Sequence, residues 1–393
     1  MKWVFWICIG LLAYTYVGYF LLLLLLRPLA RLFRKPVKSV DSFLPMVSVV
    51  CSLHNEEAHI EKLIAAFVNT DYPQDKLEVL LGDDSSTDRT REIIQAAQKQ
   101  HPNIKLVPFD ENVGKTAVVN QIVPTAKGNV VAFCDANTFY EPDALVKMVR
   151  HFADERVGTV CGRLILRSKT GVNTDDQYWQ YESAIKKIEG DFGVVLGANG
   201  GIYMLRKQLF VPLEPSVIQI DDFIWPVKTQ ELGYIGVYEP NAIANEEAAP
   251  FVEAEFRRKV RIGTGDYRAL RDLWRVLLPC KGMLSFCYWG HKVIRWLAPF
   301  ILLLVLGVNI TLLKQPWFCV MLSLQILFYL AAIIGPLFSK LTHPFARLLR
   351  LPYYFAGSNA ALLLGFYKCV TGRQKATWST TGHRTSSPKG DQP

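Results

Sequence analysis

Residues 77–88 read LEVLLGDDSSTD. The apolar run Leu77–Gly82 suits a buried strand, and the acidic and hydroxyl residues after it end a strand in a turn. Similar runs lie on either side. MVSVVCSL (Met46–Leu53), IKLVPF (Ile104–Phe109), NVVAFCD (Asn129–Asp135) and VGTVCGRLIL (Val157–Leu166) also read as strands. Helical patterns separate them. Ile60, Leu63, Ile64 and Phe67 share one face of a helix expected over Glu56–Asn69. Asp88 can cap a helix running to Gln100, Gly114–Thr125 reads as another, and Pro142 suits the first turn of the next. This alternation predicts an α/β domain with a mixed, mostly parallel sheet and helices on both faces. Such sheets bind ligands at the carboxyl ends of their strands. Three polar clusters fall there: His54-Asn55-Glu56, Asp83-Asp84-Ser85-Ser86 and Asp135-Ala136-Asn137.

The chain has 393 residues, enough for one sizeable domain with additions. Half of it is hydrophobic, and the excess sits at the two ends. Trp3–Leu26 carries no charge and is long enough to cross a bilayer. It is too long for a signal peptide, and no small-residue cleavage site follows. Arg27, Arg31, Arg34, Lys35 and Lys38 follow instead and mark the cytoplasmic side. The net charge of +9 lies largely beside apolar segments, so it points to anionic headgroups and not to nucleic acid. The eight cysteines form no metal-spaced or CxxC pattern and read as buried apolar residues in a reducing compartment. Basic and apolar residues interleave in FRRKVRIGTGDYRALRDLWRVLL (Phe256–Leu278), which suits a helix on a membrane or on the domain surface. Apolar segments follow at Val293–Leu313, Trp317–Phe338 and Pro352–Val370, the last broken by Gly357-Ser358-Asn359. The positive-inside tendency disfavours a full crossing by that last segment. The chain therefore divides into a membrane helix (1–27), a basic linker (28–44), a cytosolic domain (45–268), an interfacial segment (269–292), a membrane region of two to three segments (293–370) and a polar basic tail (371–393).

Several clusters can carry chemistry. Asp83 and Asp84 could accept bonds from a uracil ring or ribose, or simply cap a turn. Asp135 with Asn137 offers two oxygen ligands for a ribose or a divalent ion. Asn112-Val113-Gly114-Lys115 places a cation at a helix start, which suits phosphate contact without being a P-loop. Ala198-Asn199-Gly200-Gly201 is a small-residue turn that lets a bulky ligand approach the backbone. Of Asp221 and Asp222, one could take a proton from a sugar hydroxyl. Adjacent carboxylates are expected not to share one pocket, and these residues alone do not say which is the base.

In this order and spacing, the motifs resemble the family 2 glycosyltransferases of GT-A fold (the nucleotide-diphospho-sugar transferase fold), over roughly Pro45–Gly265. The membrane segments at both ends are typical of the family's membrane-bound members, of the bacterial polysaccharide or glycolipid synthesis type. The resemblance implies a nucleotide-sugar site of Leu53, His54, Glu56, Asp83, Asp84, Lys115, Asp135 and Arg261. It implies acceptor contacts at Asn199, Gly200, Gly201 and Asp221, a Mg²⁺ or Mn²⁺ ion at Asp135 and Asn137, and Asp222 as catalytic base. Asn137 stands where the family usually has a carboxylate. Arg258-Lys259-Val260-Arg261-Ile262 stands near the place of Gln-x-x-Arg-Trp and lacks the Gln and Trp of processive members. The implied activity is inverting transfer of a sugar from a nucleotide donor, most simply a UDP-sugar, to a lipid-linked or polysaccharide acceptor. It would occur at the inner (cytoplasmic) membrane, with membrane lipids and other polysaccharide-synthesis or export proteins as partners and no nucleic acid.

Two other readings meet the sequence less well. An oxidoreductase on a similar sheet needs G-x-G-x-x-G after the first strand, where this chain reads Leu53-His54-Asn55-Glu56. A non-catalytic membrane scaffold or transporter subunit would have scattered losses among the strand-end carboxylates, which here are largely present.

Overall fold

A computed structural model of the chain describes residues 1–167, 176–215, 220–247, 252–335 and 344–373. Most of the tail expected over 371–393 lies outside these residues. Alternating strands and helices run β1 (Val47–Leu53), α3 (Ile60–Val68), β2 (Leu77–Asp84), α4 (Thr90–Gln100), β3 (Ile104–Phe109), α5 (Lys115–Thr125) and β4 (Val130–Cys134), after an N-terminal helix made of α1 (Lys2–Ala13) and α2 (Tyr19–Phe33). Then come β5 (Thr138–Tyr140), α6 (Ala144–Val149), β6 (Val157–Arg167), α7 (Asp176–Asp191), β7 (Tyr203–Arg206), α8 (Asp221–Glu231) and β8 (Ile235–Glu247).

The strands form one eight-stranded sheet in the order β3-β2-β1-β4-β7-β6-β8-β5. The β3, β2, β1 and β4 run is parallel, as is β6 with β8. β7 is antiparallel to both its neighbours, and β5 is antiparallel to β8. Strands β1 and β2 are buried along their whole length because helices cover both faces. Val49, Cys51, Val79 and Leu81 pack on one face with Leu63 and Phe67. Val50, Leu80, Val131 and Phe133 pack on the other, in a core that also contains Tyr19 and Leu23 of α2.

Local differences from the sequence reading have physical causes. The first helix starts at Ile60 instead of Glu56, because Asn55 takes a positive φ of 57° and the backbone turns there. Strand β2 runs on through Asp83 and Asp84, which stay in register with Pro108 and Phe109 of β3. Pro142 precedes Asp143, the N-cap of α6, and so lies just outside that helix. Elements β5, α7 and β8 were not expected.

After β8 the chain forms α9 (Val252–Asp272), α10 (Met283–Cys287), α11 (Ile294–Thr311), α12 (Pro316–Ile334) and α13 (Pro344–Thr371). Among the described residues, three helices are long and apolar enough to cross a membrane: Lys2–Phe33, Met283–Thr311 and Pro316–Ile334. The second begins ahead of Val293 because its polar turn is buried against the domain. There His291 Nδ1 lies 2.8 Å from Glu189 Oε1, and its Nε2 lies 3.0 Å from Glu182 Oε2, both on α7. Tyr19 of α2 donates to the same Glu189 oxygen at 2.7 Å, and Arg295 binds Glu182. Two π-helical turns, Tyr14–Gly18 and Tyr288–Val293, meet at this junction, where Thr15 Oγ1 donates to Gly290 O at 3.0 Å. Helix α13 instead packs along α9, with the two backbones touching at Gly263 and Gly365.

A Cβ at Gly290 would come within 2.3 Å of the Tyr19 ring. Gly290→Ala is therefore expected to cost about 1–3 kcal/mol by overpacking. Thermal unfolding in detergent should show a lowered Tm, and an unchanged Tm would refute the tight contact.

Candidate active site

The strand ends are held in place by their own polar groups. Asp84, fully buried, accepts from the backbone N–H of Val113 at 2.7 Å and of Gly114 at 2.9 Å. Gly114 takes a φ of 83°, which favours glycine. These two bonds aim the next residue, Lys115, across the rim. Asp83 is also fully buried and accepts from Arg91 Nε at 2.6 Å. His54 Nδ1 donates to Asp84 O at 2.7 Å, leaving Nε2 to accept from Asn55 and Asn112. The first two strand ends thus form a hydrogen-bonded frame.

The charged centre lies one strand further on. Lys115 Nζ bridges Asp135 Oδ1 at 2.9 Å and Asp221 Oδ2 at 3.1 Å. Burial alone would lower the Lys115 pKa, but the two carboxylates outweigh it and raise it. Burial opposes ionisation of Asp135, but Lys115 prevails and holds that carboxyl below its ordinary range, with Arg261 and Arg258 of α9 adding to the effect. Tyr203 OH also donates to Asp221, at 3.3 Å.

Asp222, next in α8, differs. Among the described residues nothing hydrogen-bonds its carboxylate. Burial and then the charge of Asp221 push its pKa up to about 6. A Cβ at Gly200 would lie 3.3 Å from Asp222 Oδ2 and 3.4 Å from Asp135 Oδ2, so Gly200 marks the space between the two carboxylates. Both first-turn carboxylates of α8 therefore serve one site, contrary to the expectation that only one could. They are separated by partner and not by pocket: Asp221 is tied to Lys115, and Asp222 opens beside Gly200.

The other expected site residues divide. Gly201 packs its backbone on β5, where a Cβ would fall 2.2 Å from Thr138 Oγ1. Asn199 is buried, accepts from Lys186 Nζ and donates to Gly162 O, each at 2.7 Å. It therefore shapes the small-residue turn from inside and offers no free amide to an acceptor. The Glu56 carboxylate turns to His59 at 2.9 Å, and the Leu53 side chain is fully buried in the core, so neither side chain lines the centre. Arg261 is exposed on α9. Asn137 Nδ2 donates to Glu246 Oε1 at 3.4 Å. Sequence reasoning missed Glu246, Arg258, Tyr203 and Lys186. Only Arg258 carried a sequence signal, in the Arg258–Ile262 stretch.

For a divalent ion the donor set fits. Asp135, Asn137 and Glu246 offer hard oxygens of the kind that suit Mg²⁺ or Mn²⁺. Among the described residues no three His, Cys, Asp or Glu side chains form a closed metal cage. Such an ion would need oxygens from a ligand as well.

Residues 48–210 match Glycosyl transferase family 2. This stretch thus forms a domain similar to the family 2 glycosyltransferases. Among curated proteins, the domain is 32% identical over 172 residues to the beta-monoglucosyldiacylglycerol synthase of Nostoc sp. (strain PCC 7120), covering 43% of this chain and 36% of that one. It is 33% identical over 243 residues to the synthase of the same name from Synechocystis sp., covering 59% and 50%. The chain thus spans about half or less of the length of these relatives. It is 26% identical over 282 residues to the poly-beta-1,6-N-acetyl-D-glucosamine synthase of Staphylococcus aureus (strain COL), covering 70% and 67%. The mannosyltransferase PcManGT of Pyrobaculum calidifontis, solved with GDP-Man and Mn2+, superposes with a TM-score of 0.67 at 23% identity, covering 94% of this chain and all of that one. The fold of this domain is therefore GT-A.

A carboxyl whose pKa is raised on folding stabilises the fold below its unfolded value, and that contribution is lost as pH rises through about 6 for Asp222. Asp222→Asn removes the charge that burial penalises. The variant should unfold at a higher temperature than the parent at pH 8, with a clearly smaller gap at pH 5, which lies between the folded value and the ordinary Asp value. An equal gap at both pH values would refute the buried-charge assignment.

Proposed function

We propose that the chain is an inverting glycosyltransferase held at the cytoplasmic membrane. It moves a sugar from a nucleoside diphosphate donor, most simply a UDP-sugar, to a hydroxyl of a lipid-linked or growing polysaccharide acceptor. The observation that carries this reading is the unbonded Asp222 carboxylate beside Gly200, facing Asp135, with its neighbour Asp221 already bound to Lys115. A base must be free to take a proton, and a pKa near 6 suits a base at neutral pH.

The steps follow from the side chains. The donor's nucleoside lies along the frame built by His54, Asp83 and Asp84, and its diphosphate meets Lys115, Arg258 and Arg261. Asp222 takes the proton of the acceptor hydroxyl. The hydroxyl oxygen bonds to the anomeric carbon as the bond from that carbon to the diphosphate oxygen breaks. The electron pair leaves with the nucleoside diphosphate, and the configuration inverts. Lys115, Arg258 and Arg261 offset the charge on the leaving oxygen. A divalent ion, when held by Asp135 and Asn137, would add to that neutralisation.

Two features support an acceptor at the membrane. The catalytic face shares one core with α2 and with Tyr288 and Trp296, at and next to the π-helical turn that opens into α11. The relatives named above include synthases of a glycolipid and of a polysaccharide.

Membranes containing the chain, incubated with radiolabelled UDP-glucose, UDP-N-acetylglucosamine and GDP-mannose, should transfer label from one donor. Solvent extraction and sizing then separate a glycolipid product from a polymer. Asp222→Asn should lower transfer about 10²–10⁴-fold while UDP binding persists. Transfer by the variant at the parental rate would remove Asp222 from the role of base.

A further inference from the structure

We propose that Glu246 is the second carboxylate of the divalent-cation site, supplying the charge that Asn137 lacks. This rests on the donor-site reading above and extends it to a residue far along the chain. Asp135-Ala136-Asn137 brings one carboxylate and one neutral amide to the strand end. A neutral amide oxygen binds a hard cation less strongly than a carboxylate does.

The sheet places a carboxylate beside that amide. β5 follows directly after Asn137 and pairs antiparallel with β8, in the register Thr138↔Glu246 and Phe139↔Asn245. This pairing brings Glu246 against Asn137, and the Asn137 amide donates to Glu246 Oε1 at 3.4 Å. Glu246 therefore holds the amide nitrogen of Asn137 and leaves its oxygen free to face elsewhere. Glu246 also senses the charges of both Asp135 and Arg258, which places it between the strand end and α9.

The charge balance leaves Glu246, like Asp222, without an ion-pair partner among the described residues. Asp135 and Asp221 share Lys115, Asp83 holds Arg91, and Glu239 holds Arg150. Among the described residues Glu246 accepts a hydrogen bond only from a neutral amide and forms no ion pair. A largely enclosed carboxylate whose nearest positive charge, Arg258, forms no ion pair with it is costly unless a cation reaches it. The cation that suits two carboxylates and an amide oxygen is a small divalent ion, completed by diphosphate oxygens and water. Lys115 already neutralises one oxygen of Asp135, so a second carboxylate is needed for two units of positive charge.

The test measures the ion and not the turnover. Full-length protein in detergent is titrated with Mn²⁺ in the presence of UDP, with free Mn²⁺ followed by electron paramagnetic resonance. UDP binding is measured separately without metal. Glu246→Gln should weaken Mn²⁺ binding about 10–100-fold and leave metal-free UDP binding unchanged. Asn137→Asp should tighten Mn²⁺ binding in the parent and restore it in Glu246→Gln, which a merely structural role for Glu246 would not do. Equal Mn²⁺ affinity in Glu246→Gln and parent would overturn the proposal while leaving the glycosyltransferase reading intact. So would an equal loss of metal-free UDP binding, since Glu246 would then act only through Arg258. A parent that binds neither UDP nor Mn²⁺ with UDP would overturn this proposal and the donor-site reading together.

Discussion

One ammonium group organises the candidate active site. Lys115 touches a carboxylate at the end of β4 and another at the start of α8, two places well separated in sequence. Its own position is set by Asp84, whose two oxygens take the backbone N–H groups just before α5. The order of dependence is therefore fixed: Asp84 places the turn, the turn places Lys115, and Lys115 holds Asp135 and Asp221. Asp222 remains unbound because its neighbour has taken the cation. Removing one partner of this partly exposed set leaves a charge uncompensated within the site.

This order also shows what the sequence could reveal. The parallel half of the sheet was legible because each strand is an apolar run closed by polar residues, and the strand ends carry the charge. Asp135 was legible for the same reason, and Lys115 and the Asp221-Asp222 pair as charged residues beside turns. Roles within the site were less so. Asp84 and Asn199 look like ligand contacts as residue types, yet their polar atoms are spent on the protein's own backbone and on Lys186. The antiparallel strands were hidden because β5 has only three residues and β8 carries Asn and Glu among its apolar positions. Glu246 could not be found from local pattern, since only the pairing of β5 with β8 brings it to Asn137.

Helix α7 shows another limit of pattern reading. Its sequence carries Glu182, Lys186 and Glu189, which suggests a solvated face. In the structure all three are buried. Glu182 and Glu189 hold His291 and the N-terminal helix, while Lys186 reaches Asn199 in the turn beside the catalytic carboxylates. One helix thus ties the membrane helices to the small-residue turn through charge, where a hydrophobic stripe would have been the simpler design.

The contact between Gly263 and Gly365 bears on where this chain can be divided. Helix α9 carries Arg258 and Arg261 toward Asp135 of the candidate site, and α13 packs against α9 with no side chain between the backbones at Gly263 and Gly365. Tyr267 of α9 stacks edge-on with Phe366 of α13 at 5.2 Å. A truncated soluble fragment ending near residue 268 would keep every catalytic motif in the sequence. It would also strip the arginine-bearing helix of its packing partner and bare an apolar groove to water. For expression and crystallisation, the C-terminal helix therefore belongs with the catalytic unit.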